Sequence, residues 1–251
     1  QRVGARAVAL TDTMSVSGLI DFTNKCAKAD IKPIIGCRLR LVDDPTWRKV
    51  KVAGGPKPKA PPEYYLTWYV LSETGLKALF RLLTLANSDA RFYNNAKLGF
   101  DDLYAELETV SADDVAIAFS DVYSVLQHEN AREIAHRTKT LLSASNVFVS
   151  LTPVNTPYFD TLNRRALEIA ELWELPLLVH RPVCYPQGGA DVQEIHQAIL
   201  RNTPVSEMWH WSNHARDWHA LTPNEMTVQV QAAAIRLRAM RGIEKTGALW
   251  R

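Results

Sequence analysis

The sequence contains few cysteines, almost no excess charge of either sign and no extended apolar stretch, and each absence removes a class of protein. Its 251 residues include three cysteines without a CxxC pair, which excludes a zinc finger and argues against the disulfide framework of a secreted domain. The 29 basic residues barely exceed the 27 acidic ones, so charge alone gives no argument for nucleic-acid binding. No apolar stretch reaches the ~18 residues of a membrane span. We therefore expect a cytoplasmic protein without membrane association.

The common nucleotide-binding and hydrolase motifs are also missing. The sequence contains no GxGxxG, no GxxxxGK followed by Ser or Thr, and no GxSxG. What is present is an ordinary globular composition, with 47% hydrophobic and 22% charged residues. The first residue is Gln1 and the last, Arg251, follows basic helix-like sequence. We interpret the chain as part of a longer protein.

Short apolar segments alternate with longer segments of helical periodicity. The predicted strands are residues 7–10, 33–42, 64–71, 115–119, 147–151 and 175–180, and the predicted helices lie around residues 19–26, 76–85, 161–173 and 192–199. This alternation is typical of a parallel sheet with crossover helices. Periodicity alone leaves open whether that sheet is doubly wound or closed into a barrel.

Residues 43–63 interrupt the alternation with five prolines and two glycines. Such a composition excludes a regular element and favours an exposed, mobile loop between two strands. A second interpretation is a contact loop for single-stranded nucleic acid, because cations surround an aromatic ring there. The residues of that interpretation are Trp47, Arg48, Lys49, Lys51, Lys57 and Lys59. Both interpretations remain open at this point.

Several sequence segments resemble, in order, the PHP (polymerase and histidinol phosphatase) domain family. The segments are AVALTD at 7–12, IKPIIGC at 31–37, YLT at 65–67, LPLLV at 175–179 and TPNEM at 222–226. The similar form of the domain is the one at the N-terminus of the alpha subunit of bacterial DNA polymerase III. The resemblance extends over residues 3–226, nearly the whole chain.

The resemblance implies an α/β fold, a distorted seven-stranded (β/α) barrel of the TIM-like kind. The family's first strand would lie before Gln1 and is expected to be missing from this chain. Residues 1–222 would form the barrel, and residues 223–251 a helix that leads out of it. Thr222 and Glu225 form a sequence capping box, which supports a helix start at this boundary.

Active members of the family bind up to three metal ions through His, Glu, Asp and Cys side chains at the strand ends. The resemblance places five other residues at such ligand positions: Thr13, Arg38, Tyr65, Pro182 and Cys184. A hydroxyl, a guanidinium, a phenol and a proline cannot rebuild a polymetal site. We therefore expect no metal, no other cofactor and no catalytic residue in this chain.

Three polar residues near these positions could still serve a metal: Asp12, His180 and His196. Asp12 follows a strand and precedes a helix, where an aspartate commonly caps or turns the chain. A single histidine in a folded domain more often has a structural role than a ligand role. We interpret all three as structural.

The resemblance implies a catalytically inactive PHP-like domain of a DNA polymerase III alpha-type protein, itself a DNA-directed DNA polymerase. This domain would act as a scaffold and docking site in DNA replication. Its implied partners are the proofreading exonuclease subunit and the remaining polymerase domains, with DNA nearby. One alternative is a metal-dependent PHP phosphoesterase or 3′–5′ proofreading exonuclease with a relocated site. The other is a free-standing adaptor derived from a PHP domain.

Overall fold

The computed structural model describes residues 4–49, 60–119, 123–154, 156–181, 183, 185, 187–205 and 219–241. The strands are β1 (Ala7–Leu10), β2 (Lys32–Val42), β3 (Tyr64–Val70), β4 (Leu98–Gly99), β5 (Val115–Phe119), β6 (Val147–Leu151) and β7 (Leu177–Val179). The helices are α1 (Leu19–Lys28), α2 (Glu73–Ala86), α3 (Phe100–Leu107), α4 (Ala131–Leu142), α5 (Pro157–Trp173), α6 (Ala190–Arg201) and α7 (Pro223–Arg241). Every strand and helix predicted from periodicity is confirmed, whereas β4, α3 and α4 were not predicted.

Strand β3 runs antiparallel to both of its neighbours, so the prediction of an all-parallel sheet is wrong at this strand. The sheet order is β1-β2-β3-β5-β6-β7, with β4 paired to β2. The pairs β1–β2 and β5–β6 are parallel, as predicted. A parallel neighbour requires a crossover connection, usually a helix. The described part of residues 43–63 contains no helix, and the chain returns beside β2 in the opposite direction.

Helix α2 packs one apolar face into the core and is fixed at its first turn. Its buried residues are Gly75, Ala78, Leu79, Leu82, Leu83 and Ala86, a spacing of three and four that places them on one side of the helix. Ser72 caps the helix, because its side chain accepts a hydrogen bond from the Gly75 amide at 3.2 Å. The Ser72 hydroxyl also bonds the Asp114 carboxylate at 2.5 Å, which ties the start of α2 to the residue before β5.

The chain divides into two compact units. The larger comprises residues 6–150 and 168–178, and the smaller comprises residues 1–5, 151–167 and 179–251. In the smaller unit, the predicted capping box is confirmed at the start of α7. The Glu225 amide donates to the Thr222 hydroxyl at 3.3 Å, and the Thr222 amide donates to the Glu225 carboxylate at 2.8 Å. The division into a barrel of residues 1–222 and a helix of residues 223–251 stays a prediction.

Candidate functional site

Three of the ligand positions named from the sequence lie together in the larger unit. Thr13 pairs with Arg38 in a parallel bridge that continues the β1–β2 ladder. The Arg38 guanidinium carbon lies 3.8 Å from the centre of the Tyr65 ring on β3. Thr13, Arg38 and Tyr65 therefore lie close together, and their assignment to the family's ligand positions stays a prediction. That place holds a cation stacked on a phenol ring.

Tyr65 is buried and its hydroxyl group is occupied on both sides. The hydroxyl accepts a hydrogen bond from Arg40 Nε at 2.9 Å and donates one to the Glu63 carboxylate at 2.9 Å. Arg40 also forms an ion pair with Glu63, at 3.2 Å, and donates to the carbonyl of Ala96 at 3.1 Å. Burial raises the pKa of Tyr65, and the hydrogen bond from Arg40 opposes this only in part. Tyr65 is therefore a neutral phenol at physiological pH.

The segment after β1 is fastened along β2. The amide of Arg38 donates to the Asp12 carbonyl at 3.0 Å, and the amide of Met14 donates to the Arg38 carbonyl at 2.9 Å. The amide of Arg40 lies 2.9 Å from the Met14 sulfur, which accepts its hydrogen. Met14 adopts a left-handed backbone conformation, with φ of 52°, which costs a non-glycine residue ~1–2 kcal/mol. These contacts hold Met14 against the strand that carries Arg38.

Cys37 lies on β2 between these groups and is fully buried. Its thiol points at the Asp12 carbonyl, with a sulfur–oxygen distance of 3.3 Å. Burial raises the pKa of Cys37 from 9.0 to about 11, against hydrogen bonds from the backbone of Ser15 and Met14 that lower it. Because the thiolate is the reactive form, Cys37 is expected to be inert at neutral pH.

We predict that Cys37 reacts with a maleimide about 100-fold more slowly in the native protein than in the denatured chain at pH 7.5, or slower still where access is limited. Peptide mass spectrometry after timed quenching would measure this for Cys37 alone. The raised pKa stabilises the native state below pH 9.0, and this contribution is lost as the pH rises through about 11. Equal labelling rates in the native and denatured protein would contradict the prediction.

The three surviving polar candidates are distributed over both units. Asp12 is exposed in the larger unit, and its carboxylate lies near Gly18, the residue that caps α1. This placement suits the positive end of the helix dipole. His180 and His196 belong to the smaller unit, where His180 bonds the Leu151 carbonyl through its backbone amide at 3.0 Å and His196 is exposed on α6. The positions Pro182 and Cys184 lie outside the described residues.

The first part of the proline-rich segment is attached to the larger unit. The guanidinium of Arg48 donates to backbone carbonyls of Trp47, at 3.0 Å, and of Asp89 and Ala90, at 3.0 and 3.2 Å. Trp47 and Arg48 are half-buried, which differs from the expectation of a loop exposed throughout. Lys49 is exposed. Lys51, Lys57 and Lys59 lie outside the described residues, so the contact-loop interpretation stays a prediction.

Lys97 completes this attachment from the strand side. Its ammonium group donates to the Trp47 carbonyl at 3.0 Å and lies 5.9 Å from the Trp47 ring and 5.8 Å from the Tyr93 ring. Burial lowers the pKa of Lys97, and the charge of Arg48 lowers it further. Arg48, which the sequence suggested as a nucleic-acid contact, and Lys97, which it did not, therefore both hold the proline-rich segment to the larger unit.

Sequence reasoning missed a buried histidine at the base of the same segment. His128 Nε2 lies 2.8 Å from the Asp43 carboxylate, and its Nδ1 accepts the Asn130 amide at 2.9 Å. Because Nδ1 accepts, the ring proton resides on Nε2 and is donated to Asp43. The rings of Tyr64 and Phe100 meet the imidazole edge to face, with ring centres 4.7 and 5.2 Å from it. No sequence motif marks His128, since Asp43, Tyr64 and Phe100 come from distant segments.

The three described residues at the expected ligand positions differ in type from the metal ligands of active PHP proteins. Divalent ions of this kind need imidazole, carboxylate or thiolate ligands. Thr13 and Tyr65 supply hydroxyl groups instead, and Arg38 adds a positive charge between them. Within the described ranges, no group of three or more His, Cys, Asp or Glu residues could hold a metal ion. The absence of a cofactor from the working protein stays a prediction.

Comparison with known families decides the relationship. The model of the PHP domain matches residues 1–153 of the sequence, more than half of the chain. The chain belongs to the PHP domain family. The mixed α/β architecture with its seven-stranded sheet is consistent with the barrel-type fold expected for that family.

Curated relatives of this PHP chain include three bacterial proteins described as DNA polymerase III subunit alpha. The protein from Yersinia pestis is 25% identical over 211 residues, which are 81% of this chain and 18% of the relative. The protein from Mycobacterium tuberculosis is 26% identical over 214 residues, and that from Saccharopolyspora erythraea is 27% identical over 220 residues; each match covers 80% of this chain and 18% of the relative. The PHP chain thus spans less than a fifth of their length. None of its described helices is long and apolar enough to cross a membrane.

Proposed function

We propose that this chain is a PHP module without a metal site, and that it serves as a structural scaffold and docking domain in a DNA polymerase III alpha-type protein. The observation that carries the proposal is the stack of Arg38 on Tyr65, at two positions where active members are expected to have a glutamate and a histidine. Two unit charges ~4 Å apart at an effective dielectric near 20 repel by about 4 kcal/mol, and a dication doubles this. The charge of Arg38 thus opposes metal binding at a position where active members are expected to supply a metal ligand.

Without a metal cluster, the remaining side chains offer too little chemistry for hydrolysis of a phosphate ester. A single Asp or His that acts as a general base contributes about 10²–10⁴-fold. Hydrolysis of phosphate monoesters requires accelerations up to about 10²¹-fold. Asp12 is exposed and is not part of a group that could hold a metal among the described residues, so it supplies no substitute for metal-activated water.

The same residues suit a structural role. One network of stacking, hydrogen bonds and an ion pair connects Arg38 and Arg40 on β2 with Tyr65 on β3. It also includes Glu63, which directly precedes β3. A stacked, partly desolvated cation–π pair contributes ~0.5–2 kcal/mol. The network therefore joins two strands of the sheet at positions where the resemblance expects metal ligands. A rigid module of this kind is suited to holding partners in place.

The partners we propose are the remaining domains of the polymerase polypeptide and the proofreading exonuclease subunit, in the cytoplasm of a bacterial-type replication system. Similarity over about 80% of the chain to three alpha subunits supports this assignment. The charge of the chain gives no support to a direct nucleic-acid function, and Arg48 uses its guanidinium on backbone carbonyls.

We expect the protein to show no hydrolysis of a generic phosphomonoester or of 3′-recessed DNA, with manganese or zinc present. Initial rates should equal those of the metal-containing buffer within error. The reason is the positive charge of Arg38, stacked on Tyr65 at positions where the resemblance expects metal ligands. The assay should use the complete polypeptide in which this module occurs, so that any residues outside the present sequence can contribute.

The matched variants for this assay are Asp12→Asn and His196→Gln, which keep the size of each side chain and remove its ability to serve the metal chemistry. Metal-dependent turnover that disappears in either variant would replace the scaffold proposal with the phosphoesterase or exonuclease alternative. If turnover is absent, binding of the purified proofreading exonuclease subunit, measured by calorimetry, supports the docking role.

A further inference from the structure

Three basic side chains lie together at the end of the larger unit where β1 and β2 begin. Arg6 directly precedes β1, Lys32 is the first residue of β2, and Lys28 is the last residue of α1. The Lys32 amide donates to the Arg6 carbonyl at 2.9 Å, so these two residues are neighbours on adjacent strands. A short turn joins Lys28 to Lys32, closed by the Ile31 amide on the Cys26 carbonyl at 3.0 Å. All three cations are exposed. We call Arg6, Lys28 and Lys32 the basic cluster.

The basic cluster differs from the other surface cations of the larger unit in having no counter-charge. Four of those other cations form ion pairs: Lys25 with Asp21, Lys77 with Glu73, Arg81 with Glu106, and Arg91 with Asp102. In the part of the chain that the structure describes, no carboxylate pairs with Arg6, Lys28 or Lys32, and this includes the exposed Asp30 in the turn between the two lysines. Because like charges at close range repel, an uncompensated cluster favours an anionic partner.

The dipole of helix α1 accounts for only part of this cluster. Lys28 lies in the last turn of α1, where a cation is favoured by the negative end of the helix dipole. Arg6 and Lys32 lie at the starts of strands instead, and a sheet has only a small net dipole. The local fold therefore gives no reason for cations at these two positions.

The residues around the basic cluster indicate which anion it suits. Residues 4–8 and 24–33 contain no aromatic side chain, and the neighbouring Ala7 and Ala27 are exposed. Protein interfaces depend on large anchors, mainly Trp, Tyr and Arg, in well-packed pockets, and single-stranded nucleic acid is held by aromatic rings that stack on its bases. The phosphates of duplex DNA require only cations that can approach them. Small exposed neighbours allow that approach.

We propose that the basic cluster contacts the phosphate backbone of duplex DNA, without regard to base sequence. This inference rests on the proposed function, since a polymerase III alpha-type protein would bring the module close to a duplex. The nearly balanced charge of the whole chain does not oppose it, because phosphates meet the local cations. Lys32 and Arg38 are six residues apart on β2, about 20 Å at ~3.3 Å per residue, so the basic cluster is separate from the candidate site.

The test is the salt dependence of duplex binding by the complete polypeptide in which the module occurs. Each phosphate contact contributes ~0.9 to the slope of log binding constant against log salt concentration, so the variant Arg6→Gln, Lys28→Gln, Lys32→Gln should lower that slope by ~2.7. Between ~50 and ~200 mM salt, the unaltered protein should lose about 40-fold more affinity than this variant. Fluorescence anisotropy with two labelled duplexes of unrelated sequence measures both, and the two duplexes should give the same difference.

The matched control is the variant Lys77→Gln, Arg81→Gln, Arg132→Gln. It removes the same number of positive charges from exposed positions on α2 and α4. The salt dependence of its duplex binding should equal that of the unaltered protein. An equal fall in slope in this control would assign the effect to overall charge and overturn the proposal.

Two further outcomes separate this proposal from the proposed function. If the polypeptide binds the duplex and the cluster variant keeps the full slope, the basic cluster does not touch DNA, whereas the alpha-type assignment stands. If the polypeptide binds no duplex DNA, the alpha-type assignment fails together with the proposal. An unchanged slope combined with weaker binding of the exonuclease subunit, measured by calorimetry, would assign the basic cluster to an acidic protein surface and overturn the DNA contact.

Discussion

Replacement of Gly75 by alanine is expected to destabilise the protein by ~3 kcal/mol, with a fall in melting temperature of about 6–12 °C. A β-carbon on Gly75 would overlap the carbonyl oxygen of Asp114 and lie 2.9 Å from its carbonyl carbon. That carbonyl cannot withdraw freely, because it accepts the amides of Leu71 at 2.9 Å and Ser72 at 3.3 Å. Alanine is favoured over glycine inside a helix by ~1 kcal/mol. The energetic cost of the steric overlap is expected to be larger than this gain. Urea unfolding followed by circular dichroism would measure the loss.

The matched control is Gly18→Ala. A β-carbon there would lie 3.8 Å from the nearest Leu10 carbon and 3.9 Å from the Asp12 carboxylate, both ordinary contacts. The change in unfolding free energy should stay within ~1 kcal/mol. If the two variants lose the same stability, the close approach between α2 and Asp114 is not what requires glycine at position 75.

The main secondary structure of the chain could be predicted because its signals are local. Strand β5 and helix α2 differ in period and in length, and each was recognised from its own residues. The direction of β3 could not be predicted, since alternation of strands and helices says where a strand lies and not which way it runs. Strand β4 has only the two residues Leu98 and Gly99, too few for any periodicity.

The resemblance named candidate positions for the site, but it could not predict the contacts that they make. The resemblance named Thr13, Arg38 and Tyr65, and the structure brings them together. The partners Arg40 and Glu63 depend on the β2–β3 register, in which Arg40 lies opposite Tyr65. That register exists only because the two strands are antiparallel, which the sequence did not reveal.

The proline-rich segment of residues 43–63 shows a different limit of prediction from sequence. Composition counts the cations at Arg48 and Lys49, but it does not show where their hydrogen bonds go. Arg48 uses its donors on the carbonyls of Asp89 and Ala90, which are about forty residues away in sequence. The sequence suggests that Arg48 could contact nucleic acid, whereas the structure shows its guanidinium bound to backbone carbonyls of the same chain.

Restoring three ligand types at the candidate site is expected to create a divalent metal site that the present sequence opposes. In the variant Thr13→His, Arg38→Glu, Tyr65→His, two imidazoles and a carboxylate replace a hydroxyl, a guanidinium and a phenol. Removal of the Arg38 charge alone relieves a repulsion of about 8 kcal/mol for a dication ~4 Å away at an effective dielectric near 20. We expect zinc to bind at least 100-fold more tightly than to the unaltered protein, as measured by isothermal titration calorimetry.

The geometry supports this expectation, because Thr13, which follows β1, is the bridge partner of Arg38 on β2, and Arg38 already reaches the ring of Tyr65 at 3.8 Å. The matched control replaces Arg38 by methionine and keeps both histidines, so that the charge is removed without a new carboxylate. Loss of the Tyr65 hydroxyl also frees Arg40 and Glu63 from it, so circular dichroism must first establish that both variants are folded. If the glutamate variant binds zinc no better than the methionine control, the three positions do not converge on one ion. The stack of Arg38 on Tyr65 would then not occupy a metal site. It would no longer support the proposal of a metal-free scaffold.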